Sequence, residues 1–170
     1  MFHQSIRRSR APAGVVQALR GMRHLLASVA IALPVGAFCA PQGIPHAELA
    51  LGGISIDATE QQVRERLGEP ANVSEELDYL DRHLRYPHLV VSFSDEIAAS
   101  LFSESPQACT PAGLCPGDPL ESALRLYGEP ELVKREDGAT YWEYYTSFPC
   151  WLQIAPKGSE VGTIRVACQP

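Results

Sequence analysis

The phrase Val63-Arg64-Glu65-Arg66-Leu67-Gly68-Glu69-Pro70 returns sixty positions later as Ala123-Leu124-Arg125-Leu126-Tyr127-Gly128-Glu129-Pro130. Self-similarity at a fixed offset marks one small supersecondary unit used twice. It predicts an α+β chain of two tandem repeats, each a short helical segment followed by a three-stranded antiparallel meander, over residues 41–106 and 107–170.

Within each repeat the helix is short and bounded. Thr59 and Gln62 are spaced as a capping box, Val63 and Leu67 lie four apart on one face, and Gly68 then Pro70 end the run. In the second copy Asp118 stands as a capping carboxylate, Pro119 at the first helical position and Glu121 reaching back, with Leu120, Leu124 and Tyr127 as the buried stripe. Helices of this length do not hold alone, so a sheet must lie beneath them. Alternation supplies it: Leu84 and Tyr86, then Leu89, Val91 and Phe93, then Ile97, Ala99 and Leu101 point inward around a loop at Ser94-Asp95-Glu96. The second set runs through 141–145, 150–155 and 162–168, with Pro87 and Pro149 at matching junctions where no ladder donor is needed.

The first forty residues read as a signal peptide. Arg7, Arg8, Arg10, Arg20 and Arg23 precede an apolar run over 25–39 that Pro34 interrupts and that is shorter than the roughly 20 residues of a membrane span. Cleavage is expected after Ala40 or Ala37, and Met22 is an alternative start. Phe38 before Cys39 spoils a lipoprotein signal, so that cysteine is expected to leave with the leader, and the residues around Arg7-Arg8 do not support a twin-arginine signal. Removing these five arginines leaves nine basic residues against 20 acidic ones, a mature charge near −11. Such a chain repels phosphate backbones and anionic headgroups, which argues against nucleic-acid and membrane-surface partners and leaves basic or neutral ones. No membrane insertion is expected after cleavage.

The four other cysteines suit an oxidising compartment. A reverse turn around 156–160 sets Ile154 opposite Ile164, Leu152 opposite Val166 and Cys150 opposite Cys168, which leaves Cys109 to Cys115. The Cys-x5-Cys spacing is neither a thiol-oxidoreductase motif nor a zinc knuckle.

Read together, Ile54, Asp57, Thr59, Gln62, Val63, Leu67, Gly68 and Pro70 resemble the opening of the outer-membrane assembly lipoproteins of the BamE/SmpA/OmlA type. Trp142-Glu143-Tyr144 is similar to the aromatic strand of that group. Asp57 stands where the family has glycine, and Gly117 keeps it. Two such units in one exported chain also resemble the tandem layout of secreted beta-lactamase inhibitory proteins. The resemblance implies a small envelope or secreted module that works by binding, without catalysis; fold analogy alone does not assign function.

Reactive constellations are sparse. No nucleophile elbow, phosphate loop, zincin or EF-hand pattern occurs. His46, His83 and His88 are scattered, and Glu75-Glu76 and Asp95-Glu96 fall in connectors, so no catalytic residue, metal site or cofactor is assigned. The face opposite the inferred core is more informative. It carries Tyr141, Glu143 and Tyr145 on one strand, Trp151 and Gln153 on the next, and Thr163 and Arg165 beyond, which is the composition of an interface built on rigid aromatic anchors and an arginine. In the first unit that face holds His83, Arg85, Val90, Ser92 and Ser100. A structural use of the aromatic face, packed on the first repeat, competes with recognition.

The expectation is therefore an exported, non-catalytic protein-binding module, periplasmic or secreted in a Gram-negative-like bacterium. It binds another protein through Tyr141, Glu143, Tyr145, Trp151, Gln153 and Arg165. A cleft enzyme acting on cell wall or a small molecule, and a purely structural envelope protein, are the alternatives.

Overall fold

A computed structural model describes residues 43–76 and 80–169. The leader, its cleavage sites and Cys39 lie outside the described residues. After a short 3-10 turn at His46–Glu48 come β1 (Ala50–Leu51), β2 (Ile54–Ser55), α1 (Glu60–Leu67), β3 (Asn72–Glu75), β4 (Arg82–Arg85), β5 (Val90–Ser94) and β6 (Ile97–Ser103). Then follow α2 (Leu120–Tyr127), β7 (Glu131–Lys134), β8 (Thr140–Tyr145), β9 (Cys150–Lys157) and β10 (Glu160–Cys168).

The eight longer strands form one antiparallel sheet in the order β3-β4-β5-β6-β10-β9-β8-β7, and β1-β2 is a separate small hairpin. This overturns the expectation of two tandem helix-plus-three-stranded units: the fold is mostly β, built on one continuous sheet. Two physical causes account for the difference. β6 pairs with β10 through Leu101↔Val166 and Phe102↔Arg165, which fuses both halves edge to edge. In addition, the chain leaving each helix reverses at Gly68 and Gly128, both at φ +80°, and continues as β3 or β7, strands whose apolar residues Val73 and Leu132 stay exposed and gave no alternation to read.

The sheet buries one face. Leu84, Val91, Phe93, Leu101, Val166, Leu152 and Ile154 form a single cluster with Val63 of α1, Ala123 of α2, Leu51 and Ile54 of the hairpin, and Ala108 and Leu114 of the connector before α2. Segments distant in sequence also lock together through Gly52 N–H to the Cys109 carbonyl at 3.0 Å and Tyr127 Oη to Glu48 Oε2 at 2.8 Å.

Both helix starts lean on a hairpin tip. The Leu120 N–H donates to the Ser159 carbonyl at 2.9 Å, and the Glu60 N–H to that of Glu96 at 3.4 Å, so first-turn donors that a helix leaves orphaned find sheet partners. The Thr59–Gln62 capping box is present. The second cap differs from expectation: α2 begins at Leu120 with Pro119 before it, and Asp118 Oδ2 accepts from the Cys115 N–H at 2.8 Å rather than from the helix. The buried contact of α2 is Ala123, with Leu120 and Tyr127 packed beside it. Asp57 and Gly117, sixty positions apart, both adopt positive φ, +70° and +95°, so the first copy keeps with aspartate the backbone conformation that the second holds with glycine.

The β9–β10 register is the expected one, with Ile154↔Ile164, Leu152↔Val166 and Cys150↔Cys168 paired. Both disulfides, Cys150–Cys168 and Cys109–Cys115, are formed, as in proteins of oxidising compartments. In β6 a register shift opposite Ser92/Phe93 turns Ala98, not Ile97 or Ala99, into the core. Among the described residues no helix is long and apolar enough to cross a membrane.

Candidate functional site

The second face of the sheet is where the predicted binding residues come together. Cross-strand registers place Glu143, Gln153, Arg165 and Phe102 in one row across β8, β9, β10 and β6, and Tyr145, Trp151, Ala167 and Ser100 in the next. Tyr141 stands two residues from Glu143 on β8. Directly opposed residues on one face lie close enough for side-chain contact. The alternative in which this face packs against the first half does not hold, since the two halves lie side by side in one sheet.

Glu143 occupies a different position from the one expected. It is 1% exposed, and its carboxylate is fully engaged: Arg135 and Gln153 donate to Oε1, the latter at 2.8 Å, and the Tyr145 hydroxyl donates to Oε2. Burial disfavours the charged form, but hydrogen bonds from Tyr145, Gln153 and Arg135, with the charge of Arg135, outweigh it and hold the carboxyl below the ordinary range. The same burial and the bond to Glu143 push the Tyr145 phenol up to about 12. Glu143 therefore organises the surface from beneath, with Tyr145 and Gln153 above it.

Tyr145 is 40% exposed, and its ring centroid lies 6.2 Å from that of the half-buried Trp151, whose indole N–H has no hydrogen-bond partner. Tyr141 donates to Asp137 Oδ2 at 2.9 Å. Arg165 is exposed, lies 5.1 Å from the centre of the Phe102 ring and makes no ion pair among the described residues, and the same is true of ion pairs for the exposed Arg85 farther along its row. Arg135 and Phe102 were missed from sequence. Arg135 sits in the β7–β8 hairpin, and Phe102 joins the face only once β6 pairs with β10.

The scattered histidines do not converge. His46 Nε2 lies 3.5 Å from Asp57, His83 Nδ1 bonds Ser92 Oγ at 2.8 Å, and no group of three metal-ligating side chains occurs among the described residues.

No protein-family model and no curated protein matches the chain. Among solved structures, it is similar to an extracellular protein containing a SCP domain from Bacillus anthracis str. Ames, with 13% identity and a TM-score of 0.51 over 67% of this chain and 44% of that one. A cysteine-rich secretory protein from Staphylococcus aureus gives 11% identity and 0.49 over 76% and 46%, and a DUF4309 family protein from Bacillus subtilis gives 13% and 0.47 over 75% and 88%. The chain thus spans less than half of the first two proteins, and the first likeness is one of fold alone.

Proposed function

We propose that this chain is an exported, non-catalytic protein-binding module of the cell envelope or secreted milieu of a Gram-negative-like bacterium, acting through the open sheet face. The observation that carries the reading is the run of Tyr141, Tyr145, Trp151 and Phe102 over neighbouring strands, beside exposed Arg165 without an ion-pair partner. Aromatic side chains offer large contact area at small entropic cost, and arginine is enriched with them where interfaces concentrate their energy. Glu143 supports binding over proton transfer, because its carboxylate is sealed and satisfied. Export is supported by the basic-then-apolar leader and the two disulfides. The resemblance to the assembly lipoproteins agrees with a role in binding.

The test is affinity capture from envelope and culture-medium fractions with the wild-type chain, repeated with Trp151→Ala and Arg165→Ala. Several-fold loss of the same captured protein in both variants, at unchanged urea midpoint for Arg165→Ala, is the expected result. Undiminished capture by both would remove this face from the function.

A further inference from the structure

β8 outruns its edge neighbour. β7 starts at Glu131, opposite Glu143, so Tyr144 and Tyr145 have no partner on β7; the Ile44 N–H takes the Tyr145 carbonyl at 2.9 Å. Around this gap lies a cleft of about 480 Å³ lined by Tyr127, Tyr144, Tyr145, Glu129 and Glu131, with Gly43 at its side. The rings of Tyr127 and Tyr144 are 5.3 Å apart. Glu129 and Glu131 are exposed and make no ion pair among the described residues, whereas Glu143, which also borders the cleft, is already satisfied.

One atom here lacks what its surroundings require. Tyr144 is 4% exposed and its hydroxyl has no hydrogen-bond partner among the described residues, although buried polar groups are paired in nearly all native proteins. Burial and the nearby charge of Glu129 push its phenol up to about 12, so it is a neutral hydroxyl with free acceptor capacity. Two unpaired carboxylates, tyrosine faces and an unused hydroxyl oxygen together suit a cation that carries N–H donors on an apolar stem.

We propose that this cleft binds a primary ammonium or guanidinium group on an alkyl chain, with Glu129 and Glu131 supplying charge, the tyrosines packing the stem and the Tyr144 oxygen accepting a hydrogen bond. The group is either a free alkylamine or a lysine or arginine side chain of a protein. The cleft shares Tyr145 and Glu143 with the sheet face, but Trp151, Gln153 and Arg165 do not line it, and the residues varied in its test, Glu129, Glu131 and Tyr144, are not among those of the sheet-face reading.

Isothermal titration of the oxidised full chain tests it, using n-pentylammonium, n-butylguanidinium, neutral n-pentanol and a blocked Gly-Arg-Gly peptide. Both cations should bind at least tenfold more tightly than pentanol. Glu129→Gln with Glu131→Gln should cost at least tenfold in cation affinity. Tyr144→Phe, which deletes a hydroxyl with no partner to lose and so keeps the fold, should cost about threefold. Tighter binding of the small cations assigns a free amine, and tighter binding of the peptide assigns a protein side chain. Equal binding of pentanol, or unchanged cation affinity in either variant, overturns the proposal.

Discussion

Replacing Glu143 by glutamine keeps the shape of the side chain and removes its charge, which isolates what the buried carboxylate contributes. Three donors converge on it, from Arg135, Gln153 and Tyr145, and its side chain is 0% exposed. An amide in its place keeps one acceptor oxygen for Arg135 and Gln153 and turns its NH₂ to Tyr145, whose hydroxyl must then accept instead of donate, so charge-assisted bonds become ordinary ones. A hydrogen bond to a charged group is worth about 1.5–3 kcal/mol and one between neutral groups about 0.5–1.5, so the bonds of Gln153 and Tyr145 each weaken by about 1. Arg135 is 46% exposed, so solvent screens its share and it is left out of the sum. The expected loss at pH 7 is about 2 kcal/mol, or on the order of 7 °C in Tm. The folded carboxyl lies below its unfolded value, near 4.3 for a free glutamate, so its stabilisation is complete above that value and is lost as pH falls through the folded pKa. Urea unfolding of wild type and Glu143→Gln at pH 7 and near pH 3 should therefore give a gap that narrows in acid. A gap under about 0.5 kcal/mol at pH 7, or one that widens in acid, refutes this account of the site.

Three further outcomes are expected. Replacing Cys150 and Cys168 by serine opens a loop of sequence separation 18 and should cost about 3 kcal/mol in denaturant unfolding, more than opening the separation-6 link at Cys109–Cys115. Thr59→Ala removes the hydroxyl that accepts from the Gln62 N–H at 3.3 Å and should cost about 1 kcal/mol by the same measurement. Gly162→Ala, at the bulge between Val161 and Thr163, sets a methyl 2.8 Å from the Ala155 carbonyl oxygen and should destabilise by about 1–3 kcal/mol, with hydrogen exchange accelerated at the β9–β10 tip.

What could be read from sequence was whatever rests on local spacing. Thr59 and Gln62 are three apart and form their box; Leu152, Ile154, Ile164 and Val166 alternate about one turn, and that alternation sets the register and brings Cys150 to Cys168. What could not be read depends on pairings far apart in sequence. The union of β6 with β10 leaves no trace in either strand alone, yet it makes one sheet from two halves and brings Phe102 beneath Arg165. The edge strands escaped because each is only four residues long and bears an exposed apolar residue, Val73 in Asn72–Glu75 and Leu132 in Glu131–Lys134, so neither shows a buried alternation. The candidate residues do share one side of the sheet, since period-2 alternation fixes which side chains lie on the same face. The depth of each residue was not legible: Glu143 looks like a rim carboxylate until Arg135, from the turn after β7, an edge strand with no signal of its own, reaches it.

Charge on this molecule is arranged rather than merely abundant. On the helix side, Glu60, Glu75, Glu76, Asp81 and Glu96 surround Arg82 in one acidic hollow, and Arg82 bonds Glu60 and Glu75 at 2.9 and 3.1 Å. On the opposite face the carboxylate of Glu143 is neutralised from within, while Arg85 and Arg165 stand exposed. The formal charge of −6 for the whole chain therefore does not describe the local character of the open face. Net charge governs long-range encounter and solubility, but docking responds to the local field, and a face with arginines among aromatics presents acceptor-seeking groups to whatever lands on it. Burying Glu143 is what makes this polarity sustainable. Locked to Arg135, Gln153 and Tyr145, the carboxylate is spent within the face and holds the Tyr145 hydroxyl in place, while Arg165, two strands away, makes no ion pair among the described residues.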